Sequence, residues 1–227
     1  MSRARDPARR TRGFTLVELL VGLALALLVV AGGGALLASQ LREHRALVVE
    51  ARLMQDLRTA ADLVARDLRR AGHWGGAGAG VWSEAQAARA NPYAALAPED
   101  AASDVASLSY SRDTVENDTV DGNEQFGFRL RNRAIEIQLG AGNWQALTDA
   151  TVLAVTGFSI TPQTTAIDLE AACPLPCPTE TGNCPRVALR SLALEISAHA
   201  LADASVVRTV HAQVRVRNDA PSGACAA

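Results

Sequence analysis

Polar and apolar positions divide the chain into stretches with different periods. Residues 2–12 are polar, and residues 19–38 are then twenty consecutive positions without a charge. At about 1.5 Å of rise per residue, a helix of that length spans roughly the 30 Å hydrocarbon layer of a bilayer. The next stretch is periodic. Leu41, Val48, Ala51, Met54, Leu57, Ala61, Val64, Leu68 and Ala71 recur mostly at steps of three and four, which marks one face of an amphipathic helix. Asp62 and Arg66 stand at i,i+4 in the favourable order and are expected to pair. Gly72 supplies a C-terminal stop, so both stretches read as one helix of about fifty-five residues.

Period two takes over further along. Strands are predicted at residues 105–111, 126–130, 134–139, 152–160, 187–199 and 209–217. Arg131-Asn132-Arg133 reads as a hairpin turn, and a slip in the alternation at Arg190-Ser191 predicts a bulge. In the last strand Val210, Ala212, Val214 and Val216 alternate with His211, Gln213, Arg215 and Arg217. The economical architecture is α+β: a long N-terminal helix, half transmembrane and half amphipathic, packed on an antiparallel β-sheet whose other face is wet.

Charge adds direction. All basic residues are arginine, and the first thirteen positions hold five of them against Asp6. This flank predicts a cytoplasmic N-terminus, so everything after Ala38 is expected to be exported. From Gly72 onward ten arginines face seventeen acidic residues. A mildly acidic body argues against a general grip on nucleic acid. Glu18 interrupts the apolar region near its start, and a carboxylate there is expensive enough to suggest a role. Gly32-Gly33-Gly34 costs about 1 kcal/mol per residue relative to alanine in a helix. It fits either close helix packing in the membrane or a segment that can unwind.

The run Arg12-Gly13-Phe14-Thr15-Leu16-Val17-Glu18-Leu19-Leu20 resembles the prepilin cleavage and methylation motif of type IV pilins and type II secretion pseudopilins. The resemblance implies that a prepilin peptidase cuts between Gly13 and Phe14, methylates the new amine of Phe14 and leaves the helix on the protein. It also implies that Glu18 pairs with the Phe14 amine of a neighbouring subunit. The expected organisation is a leader over 1–13, a transmembrane and filament-core helix over 14–38, an amphipathic helix over 39–71, and a periplasmic β-rich domain over 72–227. An ordinary signal peptide fits poorly, because a cut after Ala38 would place Leu36 three positions back. An uncleaved anchor carrying a periplasmic binding domain explains the span but leaves Gly13-Phe14 and Glu18 without a purpose.

A second stretch, Asp67-Leu68-Arg69-Arg70-Ala71-Gly72-His73-Trp74-Gly75, is similar to the helix-end motif of the PilW family of minor type IV pilins. That family often has a cysteine next, where this chain has Gly76. The resemblance implies a minor pilin acting in pilus assembly, packed into the filament or at its tip. Its partners would be other minor and major pilins and the inner-membrane assembly machinery, with a type II secretion pseudopilin as the alternative.

The remaining candidate chemistry is sparse. Cys173, Cys177, Cys184 and Cys225 lie among prolines and glycines and are expected to form two disulfides. Three pairings are open, with Cys184 favoured as the partner of Cys225 because Cys173 and Cys177 are close together. A zinc site is the alternative. Asp113, Glu116, Asp118, Asp121 and Glu124 form an acidic stretch whose spacing does not fit an EF-hand, so a solvated turn is expected rather than a calcium loop. His73 and Trp74 are expected to form a packing corner. No phosphate loop, nucleophile elbow or metal-ligand spacing is present, so the chain is not expected to be an enzyme or to need a cofactor.

Overall fold

The computed structural model describes residues 13–81, 89–177 and 184–225. The basic leader lies outside them. The chain divides between Val48 and Val49 into two compact units.

The described part of the first unit is mainly helix, apolar over residues 19–38. Helix α1 runs over Leu16–Arg70, 55 residues, and Gly32-Gly33-Gly34 do not interrupt it. Every described residue of this unit is exposed, its apolar side chains included: Leu23 is 55% and Val29 70% accessible. Among the described residues, α1 is the one helix long and apolar enough to cross a membrane.

Among the described residues, the second unit holds the remainder of α1 and nine strands. Leu53, Leu57, Ala60, Ala61, Val64, Ala65 and Leu68 of α1 are buried in its core. This face differs from the predicted one at its start, because Leu41 and Val48 are exposed and Leu53, not Ala51, begins the buried stripe. Asp62 and Arg66 do not pair; the Arg66 Nε instead donates to Asp67 Oδ1 at 3.3 Å.

The strands divide into two antiparallel sheets. The first has the order β1 (Leu96–Ala97), β2 (Val105–Ser109), β3 (Gln125–Arg131), β4 (Ala134–Leu139) and β5 (Trp144–Ala146). The predicted β3–β4 hairpin forms, with Asn132 and Arg133 at φ 51° and 62°. Two left-handed residues in a two-residue loop match the right-handed twist of the flanking strands.

The second sheet has the order β6 (Leu153–Asp168), β7 (Arg186–Ala200) and β8 (Asp203–Arg215). A short β9 (Ala220–Ser222) follows β8 along the start of β7. The expected bulge at Arg190-Ser191 is absent: register shifts fall at Val155/Gly157 and at His199/Ala200. Leu192, Leu194 and Ile196 of β7 and Phe128 and Ile135 of the first sheet meet the α1 stripe in one core. The sheets touch where Ser103 and Ile160 exchange backbone hydrogen bonds of 3.0 and 2.8 Å.

The end of α1 is closed by long-range donors. Gly72 takes φ +73°, the left-handed turn that glycine permits, and its N–H donates to Ser109 O at 2.9 Å. The Arg69 carbonyl accepts from Arg217 N at 3.0 Å, and that of Ala71 from Asn218 Nδ2 at 3.0 Å. The Gly72 carbonyl accepts from Asn91 Nδ2 at 2.8 Å. Helix ends leave orphan carbonyls, and here two distant segments, Arg217-Asn218 and Asn91, supply donors to them.

Candidate functional site

The N-terminal motif occupies the start of α1. Gly13 and Phe14 precede the helix, and Phe14 is 85% exposed. A Cβ added at Gly13 would meet nothing within 4 Å, so the Gly13-Phe14 bond is open on that side. Thr15 is the residue before the first helical turn. Its Oγ1 accepts from Glu18 N at 3.3 Å, while the Glu18 carboxylate accepts from Thr15 N at 3.4 Å and from Thr15 Oγ1 at 3.3 Å. This reciprocal arrangement is a capping box, and it holds a carboxylate where the positive end of the helix dipole favours it. The sequence reading gave Glu18 only an intermolecular partner. The Thr-x-x-Glu spacing of Thr15 and Glu18 was the signal for this second, local role.

The other constellation lies in the second unit, where the turn after α1 meets the acidic stretch. Trp74 is buried, and its indole lies so close to Gly76 that a Cβ there would come within 2.8–3.0 Å of ring atoms. The indole Nε1 donates to Asp118 Oδ1 at 2.7 Å, and Arg89 donates to the other Asp118 oxygen at 2.8 Å. Gly75 N donates to Glu116 at 2.8 Å. The buried Tyr93 hydroxyl lies 3.0–3.1 Å from Glu116, Thr119 O and Glu124. His73 is exposed, so Trp74 alone makes the packing corner.

The expectation of a solvated turn is corrected at Glu124, which is 0% exposed. Its carboxylate accepts from Arg112 N at 2.6 Å and from Asp121 N at 2.9 Å. A buried carboxylate is stable only with such donors, here one just before the acidic stretch and one within it. The carboxylate oxygens of Asp113, Asp121 and Glu124 all lie within 4.8 Å of one another. Asn117 donates to Asp113 through its N–H at 3.3 Å and to Asp121 through Nδ2 at 3.0 Å. The stretch is therefore a hydrogen-bonded clasp on the end of the helix. Burial pushes the Glu116 carboxyl up, but the Ser111 hydroxyl, the Asp118 and Gly75 amides and Tyr93 together hold it below its ordinary value. Trp74 and Arg89 hold Asp118 down in the same way.

The four cysteines form two disulfides, Cys173–Cys225 and Cys177–Cys184. The favoured Cys184–Cys225 pairing is thus replaced. β9 pairs with the start of β7, which carries Cys225 past the residues that follow β6 and brings Cys173 into reach. No cysteine is left for zinc.

Comparison with known families recovers the N-terminal motif and assigns the second unit to a family. A family model described as the prokaryotic N-terminal methylation motif matches residues 8–34, which include Gly13, Phe14 and Glu18. A family model described as prepilin peptidase-dependent protein B matches residues 46–216. No curated protein matches the chain, and no solved structure matches it. The apolar N-terminal helix and the methylation motif fit anchoring in the inner membrane. With its prepilin motif, its long helix and three quarters of its length under one family model, the chain belongs to the prepilin peptidase-dependent protein B family and is a type IV pilin-like protein.

Proposed function

We propose that this protein is a minor type IV pilin of the PilW type that takes part in pilus assembly. Prepilin peptidase cuts it between Gly13 and Phe14 and methylates Phe14. The periplasmic domain then follows the retained helix into the filament or to its tip, alongside other minor and major pilins and the inner-membrane assembly machinery. Its role is structural, with no enzymatic activity and no nucleic-acid ligand. The observation that carries this reading is the apolar first half of α1, exposed along its length and headed by the Thr15–Glu18 box. Such a surface needs lipid or other helices around it.

Glu18 then has two successive partners. Before cleavage its carboxylate caps its own helix. After cleavage a charged Phe14 amine exists, and the same carboxylate on a neighbouring subunit satisfies it. Buried in a bundle, that pair contributes more to register than to net stability, because desolvation offsets much of the attraction.

Mass spectrometry of the membrane form tests the processing: a chain beginning at N-methylated Phe14 is expected, and one retaining Ser2 or beginning at Ser39 refutes it. Glu18→Ala is expected to be cleaved normally but to be depleted from sheared filaments. A deletion strain separates the pilus from the secretion reading. Loss of surface pili with intact protein export supports the pilus, and the reverse supports a type II secretion pseudopilin.

A further inference from the structure

The two sheets expose their edges unequally. β1 is two residues long and β5 three. β6 is bridged to Ser103 beside Ile160 and carries Pro162, which has no N–H to offer. These are the usual means by which proteins blunt sheet edges. β8 has none of them. It runs for 13 residues without proline, its internal pairing to β7 is regular from Ser191/Arg215 to His199/Val207, and among the described residues it has a strand on one side only.

Two further features mark this edge. Val206, Val210 and Ala212 of β8 pack against the core but are only partly buried, so the core is incompletely covered there. Residues 203–219 also carry three arginines against Asp203 and Asp219, in a domain where acidic residues prevail. Arg208 is engaged by Glu50, whereas Arg215 is 65% exposed despite its pair with Asp219.

We infer that the free edge of β8 is a docking site for an extended acidic segment of another protein, added as a further antiparallel or parallel strand. The occupant alternates apolar with polar residues. Its apolar side chains extend the inner face beside Val206, Val210 and Ala212, and its acidic ones lie on the outer face with Arg215 and Arg217. Main-chain hydrogen bonds supply the affinity and the alternating side chains the specificity. A second copy of β8 is disfavoured, since it would bring like charge to the same edge. This inference does not depend on whether the chain serves a pilus or a secretion filament.

The test uses the full chain in detergent and two synthetic nine-residue probes, one alternating valine with glutamate and one alternating valine with lysine. Hydrogen exchange should show new protection of β8 amides with the glutamate peptide and little with the lysine peptide. Arg215→Glu combined with Arg217→Glu should weaken the glutamate peptide about three- to tenfold, as two exposed pairs do, and reverse the preference between the probes. Equal binding of both peptides, protection confined to other strands, or β8 protection that rises with protein concentration without peptide would overturn the inference.

Discussion

Residues 16–48 and 49–70 belong to one helix, yet they solve opposite problems. The first stretch leaves Leu25, Leu28 and Val30 60–70% exposed, whereas the second hides Leu57, Val64 and Leu68 completely. Backbone geometry is the same in both, so the difference lies in pattern. Over residues 19–38 an apolar residue at nearly every position gives a surface that only lipid or other helices can cover. Apolar residues at steps of three and four give a stripe that one domain can cover, with Arg58, Asp62 and Arg66 left in water. The first stretch thus leaves its apolar surface uncovered within the chain, whereas the second buries it in the domain core.

The strongest attempt to break this contrast is a pair of leucine truncations. Leu57→Ala empties a site with 0% exposure, and a buried Leu→Ala change costs about 2–5 kcal/mol. Denaturant titration of the detergent-solubilised protein should show that loss. Leu25→Ala should leave the same transition unmoved, because Leu25 touches no core. Equal losses would mean that the two stretches are not energetically distinct.

A second experiment asks how far the domain depends on the helix stripe alone. Cys173–Cys225 closes a separation of 52 residues, for which the chain-entropy argument gives roughly 4 kcal/mol as an upper value. Cys177–Cys184 spans 7 and corresponds to roughly 2 kcal/mol. Replacing the first pair by serine should therefore destabilise more than replacing the second. It should free β9 to hydrogen exchange while residues 49–70 stay protected. Exchange throughout the helix would show that the clamp, and not the core, organises the domain.

Sequence carried much of this. The extent of α1, its stop at Gly72, the β3–β4 hairpin and the Gly13-Phe14-Glu18 motif were all legible, because each rests on a local period or a short ordered pattern. What escaped depends on distance. β6 continues to Asp168 through Pro162 and a threonine-rich run that has no apolar alternation, since the β7 partner rather than hydrophobicity extends it. The burial of Glu124 follows from Tyr93, 31 residues away, and from the amides of Arg112 and Asp121. The cysteine pairing followed from β9, a strand of three residues. The Thr15–Glu18 box, by contrast, is local, and the Thr-x-x-Glu spacing alone carries it.

A smaller effect separates the end of the helix from its middle. Glu116 and Asp118 both titrate below their ordinary values in the folded protein, through donors on the Trp74 turn and its surroundings. A depressed folded value means that their contribution is present above the unfolded pKa of about 4 and is lost as pH falls through the folded one. Both groups sit at the protein surface, where solvent screens their pairing, so global stability should change little. The local outcome should be clear. As pH falls below about 4 the indole of Trp74 loses its Asp118 acceptor, and its fluorescence should shift while exchange in residues 53–68 remains slow. Asp118→Asn should flatten the Trp74 part of this titration. A fluorescence change that coincides with unfolding of the α1 core would show instead that the clasp and the helix melt as one unit.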